Sequence, residues 1–145
     1  GGLSQNDALF YPQSGRQNFC KQGGAMSWWV YLDGEDGEPL PVKLHTEGGT
    51  YACGISFAEL NVTYNYGDRF RQAWPEPIEG SNALRQMLDG RTGRETAPLL
   101  AEAVEKLGTM SSADYWAPTD GNAGRALDLL WRWATENPEG VWRVS

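Results

Sequence analysis

The chain has 145 residues, enough for one ordinary domain with a buried core and too few to expect two. Its hydrophobic fraction of 40%, with 7 Trp, 6 Tyr and 4 Phe, excludes wholesale disorder, because each aromatic side chain buries a large area. With 12 Lys and Arg against 19 Asp and Glu, and no two basic residues adjacent, it lacks the clustered cations that hold a phosphate backbone, so no nucleic-acid partner is expected. No apolar run approaches the roughly 20 residues that cross a bilayer. The N-terminus shows no charged-then-apolar leader pattern. A cytoplasmic protein without a membrane partner is therefore expected.

Residues 1–25 are polar and rich in Gln, Asn, Ser and Gly, with scattered Leu9, Phe10, Tyr11 and Phe19 and no sustained period, so they read as an extension. Lys21-Gln22-Gly23-Gly24-Ala25 stands just before Met26. The codons of Gln-Gly-Gly can spell a bacterial ribosome-binding sequence, so Met26 is expected to be the native start and the preceding residues translated upstream DNA, with their aromatics docked on the domain or on a neighbour. Setting residues 1–25 aside removes Arg16, Lys21 and Asp7 and takes the net charge from −7 to −8.

Ser27 to Leu32 is a β-branched and aromatic run, Asp33 to Glu38 is a turn cluster, and Pro39 to Leu44 reads as the return strand of a hairpin. Pro39 and Pro41 cannot donate to a ladder, which puts that strand at an edge. His45 to Gly54 reads as a loop. Ala58, Leu60, Val62, Tyr64 and Tyr66 then alternate with Glu59, Asn61, Thr63 and Asn65, the pattern of a half-buried strand with a polar face.

From Gly67 the period becomes helical. Asp68 is expected to cap a short helix from Arg69 to Trp74 that Pro75 and Pro77 stop, and Ser81 to cap a second from Asn82 to Leu88. A longer helix is expected from about Arg94 to Leu107, with Pro98 in its first turn, Gly108 beyond it, and Leu99, Leu100, Ala103, Val104 and Leu107 as its apolar stripe. A last helix from about Ala123 to Thr135 turns Ala126, Leu127, Leu130, Trp131 and Ala134 inward, and Val141 to Val144 reads as a closing strand. Strands, then helices, then one strand predict an α+β fold: a mainly antiparallel sheet of about four strands with helices packed on one face.

No catalytic residue stands out. His45 is the only histidine, no Gly-x-Ser-x-Gly elbow occurs, and Cys20 and Cys53 are too few for a disulfide scaffold. His45-Thr46-Glu47 with Cys53 has no metal-ligand spacing, so neither metal nor cofactor is expected. Glu102 and Glu105 read as solvated charge on an outer helix face.

Two places could take a ligand. Asn61, Thr63 and Asn65 line up carboxamides and a hydroxyl, which both donate and accept; the plainer reading is a solvated sheet face, with Asn65 capping the next helix. Asp120-Gly121-Asn122-Ala123-Gly124-Arg125 opens the last helix, where free N–H groups favour anions, glycines admit a ligand closely and Arg125 could clamp a carboxylate or phosphate. There the plainer reading is an ordinary cap at Asp120 or Asn122 with tight packing. Trp116 and Trp133 fall off the apolar stripes, as pocket walls or partner surfaces do.

Asn61-Val62-Thr63-Tyr64-Asn65, Gly93 to Leu100 through Leu107-Gly108, and Tyr115-Trp116 with Gly121-Asn122-Ala123-Gly124 together resemble a family of small uncharacterised bacterial and phage proteins, over about Leu60 to Trp142. The resemblance implies a mobile or accessory bacterial gene, of the kind found in environmental gene cassettes, and implies no site residue. The leading expectation is a binding or interaction module with a small polar or anionic ligand or a protein partner, a homodimer included. The alternatives are an enzyme using carboxylate or Tyr acid/base groups, and an inhibitor of a bacterial or phage protein.

Overall fold

The computed structural model describes residues 26–47 and 54–145. The expectations for residues 1–25, for Cys20 and Cys53, and for most of the loop after His45 lie outside the described residues.

The chain is α+β. Five strands run over Ser27–Asp33 (β1), Pro41–His45 (β2), Ile55–Phe57 (β3), Glu59–Thr63 (β4) and Val141–Val144 (β5), with helices over Gly67–Ala73 (α1), Ala83–Leu88 (α2), Gly93–Leu107 (α3) and Asp120–Glu136 (α4). They form a three-stranded antiparallel sheet in the order β4-β1-β5 and a two-stranded antiparallel pair, β2-β3. β1 is central. Its apolar residues Trp28 and Val30 lie opposite Val62 and Leu60 of β4, and Val30 and Leu32 opposite Val144 and Trp142 of β5. This face forms one buried cluster with Phe70, Leu84, Met87, Leu88, Leu100, Leu127 and Leu130 of the helices. Each such side chain contributes on the order of 1.5–3 kcal/mol by leaving water.

The hairpin expected of β1 and β2 forms only at its base. The Gly34 N–H donates to Glu38 O at 2.9 Å, Asp33 bridges Pro39, and the Leu40 N–H donates to Leu32 O. At Pro41 the chain leaves β1 and pairs with β3 instead. Both edges of β1 are then taken by β4 and β5, strands from the middle and the end of the chain. The outer edge of β5 is itself covered: Trp142 N–H donates to Arg91 O, Gly90 N–H to Trp142 O, and Val144 N–H to the Asp89 carboxylate, each at 2.9 Å. Such coverage removes a template for strand addition.

α3 and α4 pack as an antiparallel pair whose two ends are closed by glycines. A Cβ on Gly93 would stand 2.7 Å from Asn137 O, and one on Gly124 would stand 1.7 Å from Gly108 O. Only a residue without a side chain lets the backbones meet there. Thr92 caps α3, accepting from the Glu95 N–H at 3.0 Å, and Gly108 ends it with φ 75°. Pro98 therefore lies in the second turn, because the helix begins at Gly93.

Other caps differ from expectation as well. Asp68 sits inside α1 and holds Arg71 at 2.7 Å, Asn82 rather than Ser81 precedes α2, and α4 is capped by Thr119, which accepts from the Asn122 N–H. Trp133 rather than Trp131 is core. Trp133 is 2% exposed with its ring 5.4 Å from that of His45, whereas Trp131 is half-buried.

Candidate functional site

Asn61 and Thr63 stand on the sheet face opposite the helices, yet they are not solvated. Asn61 is 0% and Thr63 3% exposed. The Asn61 carboxamide donates to Ser27 Oγ at 2.7 Å and to Trp28 O at 3.2 Å, tying β4 to the start of β1. β4 ends at Thr63, whose hydroxyl accepts from the Asn65 N–H and caps a 3-10 turn over Tyr64–Tyr66. That turn breaks the alternation. Tyr64 rotates to 41% exposure, Tyr66 stays buried, and Asn65 caps nothing, its Nδ2 donating instead to Trp116 O at 3.0 Å. Thus Asn61, Thr63 and Asn65 do not form one polar row.

The entrance of α4 is a shallow cavity of about 290 Å³ lined by Thr46, Glu47, Leu60, Ser111, Ser112, Tyr115, Asn122, Arg125 and Ala126. Its polar groups serve the fold. The Asn122 carboxamide, 2% exposed, donates to Ser112 Oγ and to the carbonyls of Asp114, Tyr115 and Ala117, and accepts from the Ser112 N–H at 2.9 Å. It is the organiser of the α3–α4 loop. Arg125 holds Glu47 bidentately through one guanidinium edge, from Nε at 3.2 Å and Nη2 at 2.8 Å, and Asp120 pairs with Arg69 at 3.3 Å. A Cβ on Gly121 would meet Met110 O at 1.8 Å. The two glycines, then, admit the protein's own backbone, and the expected anion clamp is already engaged.

Of three buried titratable groups in this region, Tyr115 lines the cavity, His45 precedes its Thr46, and Tyr66 donates to Tyr115 O. His45 is buried beside Trp133, its Nδ1 accepting from the Glu47 N–H at 3.1 Å; burial pushes its pKa down, against the upward pull of the Glu59 backbone and of the Glu47 and Glu59 charges. Burial holds the Tyr66 phenol up at about 12, while its hydrogen bond to Tyr115 O links the 3-10 turn to the same loop. The Tyr115 phenol is also driven well above its ordinary range, first by burial and then by Tyr66. Phenols so placed stay protonated at neutral pH.

A second cleft, of about 430 Å³, lies between the 3-10 turn, α1 and the start of α2, lined by Trp28, Tyr64, Asn65, Gly67, Asp68, Arg71, Ser81 and Asn82. Its shape is set locally. Arg71 spans it, donating from Nη1 to Asp68 at 2.7 Å and from Nε to Gly80 O at 3.1 Å, so α1 holds the segment that carries Ser81 and Asn82. Gly80 takes φ 77°, the left-handed conformation that turns the chain there. Tyr64 is braced edge-on against Trp28, ring centroids 4.8 Å apart at 75°. Here polar groups remain uncommitted among the described residues: the Asn82 side chain makes no capping bond, and the buried Trp28 indole N–H has no acceptor. A buried donor left without an acceptor costs about 1–3 kcal/mol.

Of the residues singled out in the sequence, only Asn65 lines this cleft. Asn122 and Arg125 share the α4 cavity, Trp116 is 38% exposed beside Asn65, and Trp133 is in the core. Trp28, Tyr64, Arg71 and Asn82 were hidden because Tyr64 read as an inward strand residue and the other three as parts of a strand and two short helices. Among the described residues no group of three or more His, Cys, Asp or Glu could hold a metal ion. None of their helices is long and apolar enough to cross a membrane. Neither a family model, a curated protein nor a solved structure matches the chain.

Proposed function

We propose that the chain is a binding module that takes a small polar ligand in the cleft of Trp28, Tyr64, Asn65, Asp68, Arg71, Ser81 and Asn82. The observation that carries this reading is the cleft itself: about 430 Å³, within the range of small-molecule sites, with an aromatic wall and an Asn82 side chain that makes no capping bond. The Arg71 bridge supports it further, since a site held in shape before binding loses less on ordering.

The tyrosine enzyme reading is weakened by the phenols of Tyr66 and Tyr115, which are raised and hydrogen-bonded rather than poised near neutrality. The anion reading at α4 is weakened by Glu47, which already occupies Arg125.

A thermal-shift screen against a metabolite set tests the proposal. A ligand present at about 100 times its Kd adds about 2.7 kcal/mol, a shift of several degrees. Tyr64→Ala and Asn82→Ala are expected to abolish that shift and Arg125→Ala to leave it. A shift that survives the first two variants and disappears in the third overturns the assignment.

A further inference from the structure

Resting on that binding reading, we infer that the ligand class of the cleft is a neutral, hydroxyl-rich ring, such as a pyranose sugar. The first ground is charge. The lining holds one Asp and one Arg, Asp68 and Arg71, joined at 2.7 Å, so the cleft is formally neutral within a chain of net −7. An anion must compete with Asp68 for Arg71, and a cation must compete with Arg71 for Asp68. A neutral polyol uses both without separating them, because each hydroxyl donates to the carboxylate and accepts from the guanidinium.

The second ground is the mixture of groups. Asn82 and Asn65 carry carboxamides and Ser81 a hydroxyl, so the lining holds both donors and acceptors. Asn65 is anchored by its Nδ2 on Trp116 O, which leaves its Oδ1 as acceptor. Rows of hydroxyls, alternately donating and accepting, match that set better than a carboxylate, which only accepts, or an ammonium, which only donates.

The third ground is the wall. Tyr64 is 41% exposed and fixed edge-on by Trp28, a flat apolar surface beside polar groups. A pyranose has one face of C–H bonds and a rim of hydroxyls, so it can lay the first on the aromatic ring while the second meets Asp68, Arg71 and Asn82. Purely apolar ligands leave those polar groups dry, and linear polar ligands leave the ring uncovered.

The test is saturation-transfer NMR on the full chain with four small polar probes: glucose, N-acetylglucosamine, glutamate and lysine. The expected result is saturation of ring C–H protons of at least one sugar, with no effect for glutamate or lysine. Tyr64→Ala should weaken binding at least tenfold, and Tyr64→Phe should keep it within threefold, which separates the ring surface from the phenol. Arg71→Lys, which keeps charge but loses the bridge to Gly80, should also weaken it. If glutamate or lysine binds in a Tyr64- and Asn82-dependent manner and the sugars do not, the ligand class is wrong while the binding site stands. If none of the four binds, and metabolites shift the melting point independently of Tyr64, both fail.

Discussion

The two clefts carry similar side chains and differ in what those side chains are doing. At the entrance of α4, the Asn122 carboxamide lies within hydrogen-bond distance of five polar atoms of the α3–α4 loop, Arg125 is held by Glu47, and Gly121 and Gly124 abut backbone carbonyls. Across the 3-10 turn, Asn82 caps nothing, the Trp28 N–H is orphaned, and Gly80 has open space around its missing Cβ. A residue list alone makes the first look like the better site. The hydrogen-bond partners reverse that order, because a buried polar group engaged in several internal bonds cannot turn to a ligand without leaving those partners unpaired.

Substitutions should separate the two regions sharply. The largest effect is expected for Gly124→Ala, whose Cβ would stand 1.7 Å from Gly108 O and must force α3 and α4 apart, at a cost of about 3 kcal/mol or more. Denaturant unfolding reads this directly. Asn122→Ala leaves the Ser112 hydroxyl and the carbonyls of Asp114 and Ala117 without their donor and should lose about 1–3 kcal/mol.

A smaller, pH-dependent term belongs to His45. Its folded pKa lies below the ordinary value of 6.5, so the unfolded chain binds the proton more readily, and stability present above 6.5 falls as the pH drops through the folded value. The slope contributed is at most about 1.4 kcal/mol per pH unit. His45→Asn, which keeps an acceptor near Glu47 N, should melt with a flatter dependence between pH 7 and 5. Arg125→Ala breaks an ion pair that is partly exposed on both sides and should cost under about 1 kcal/mol. Asn82→Ala should change stability by less than about 0.5 kcal/mol, since its side chain makes no capping bond. A loss of about 2 kcal/mol in Asn82→Ala would mean that this cleft, too, belongs to the fold.

The fold was legible where one interaction dominates. β5, α3 and α4 follow from their periods, and the α+β class follows from element order. Pairing was not legible, because β1 finds β4 and β5 through sheet packing while Pro41 steers its sequence neighbour away. Trp131 and Trp133 exchanged roles for a similar reason. α4 is buried against α3 along its stripe and also touches β2 on its flank, where His45 meets Trp133. At the site, alternation through Tyr66 hid the 3-10 turn, and only the turn exposes Tyr64. Carboxamides at 61, 65, 82 and 122 look alike in the sequence; the partners that folding brings to them decide which are structural.

The measurement that bears most directly on the contrast is an amide and indole correlation spectrum recorded during titration with the mixed polar ligands that raise the melting point. Shifts at the Trp28 indole and at Tyr64, Gly67 and Asn82, with Ser112, Asn122 and Arg125 unmoved, are the expected result. Shifts centred on Ser112, Asn122 and Arg125 would place the ligand at the entrance of α4 and contradict it.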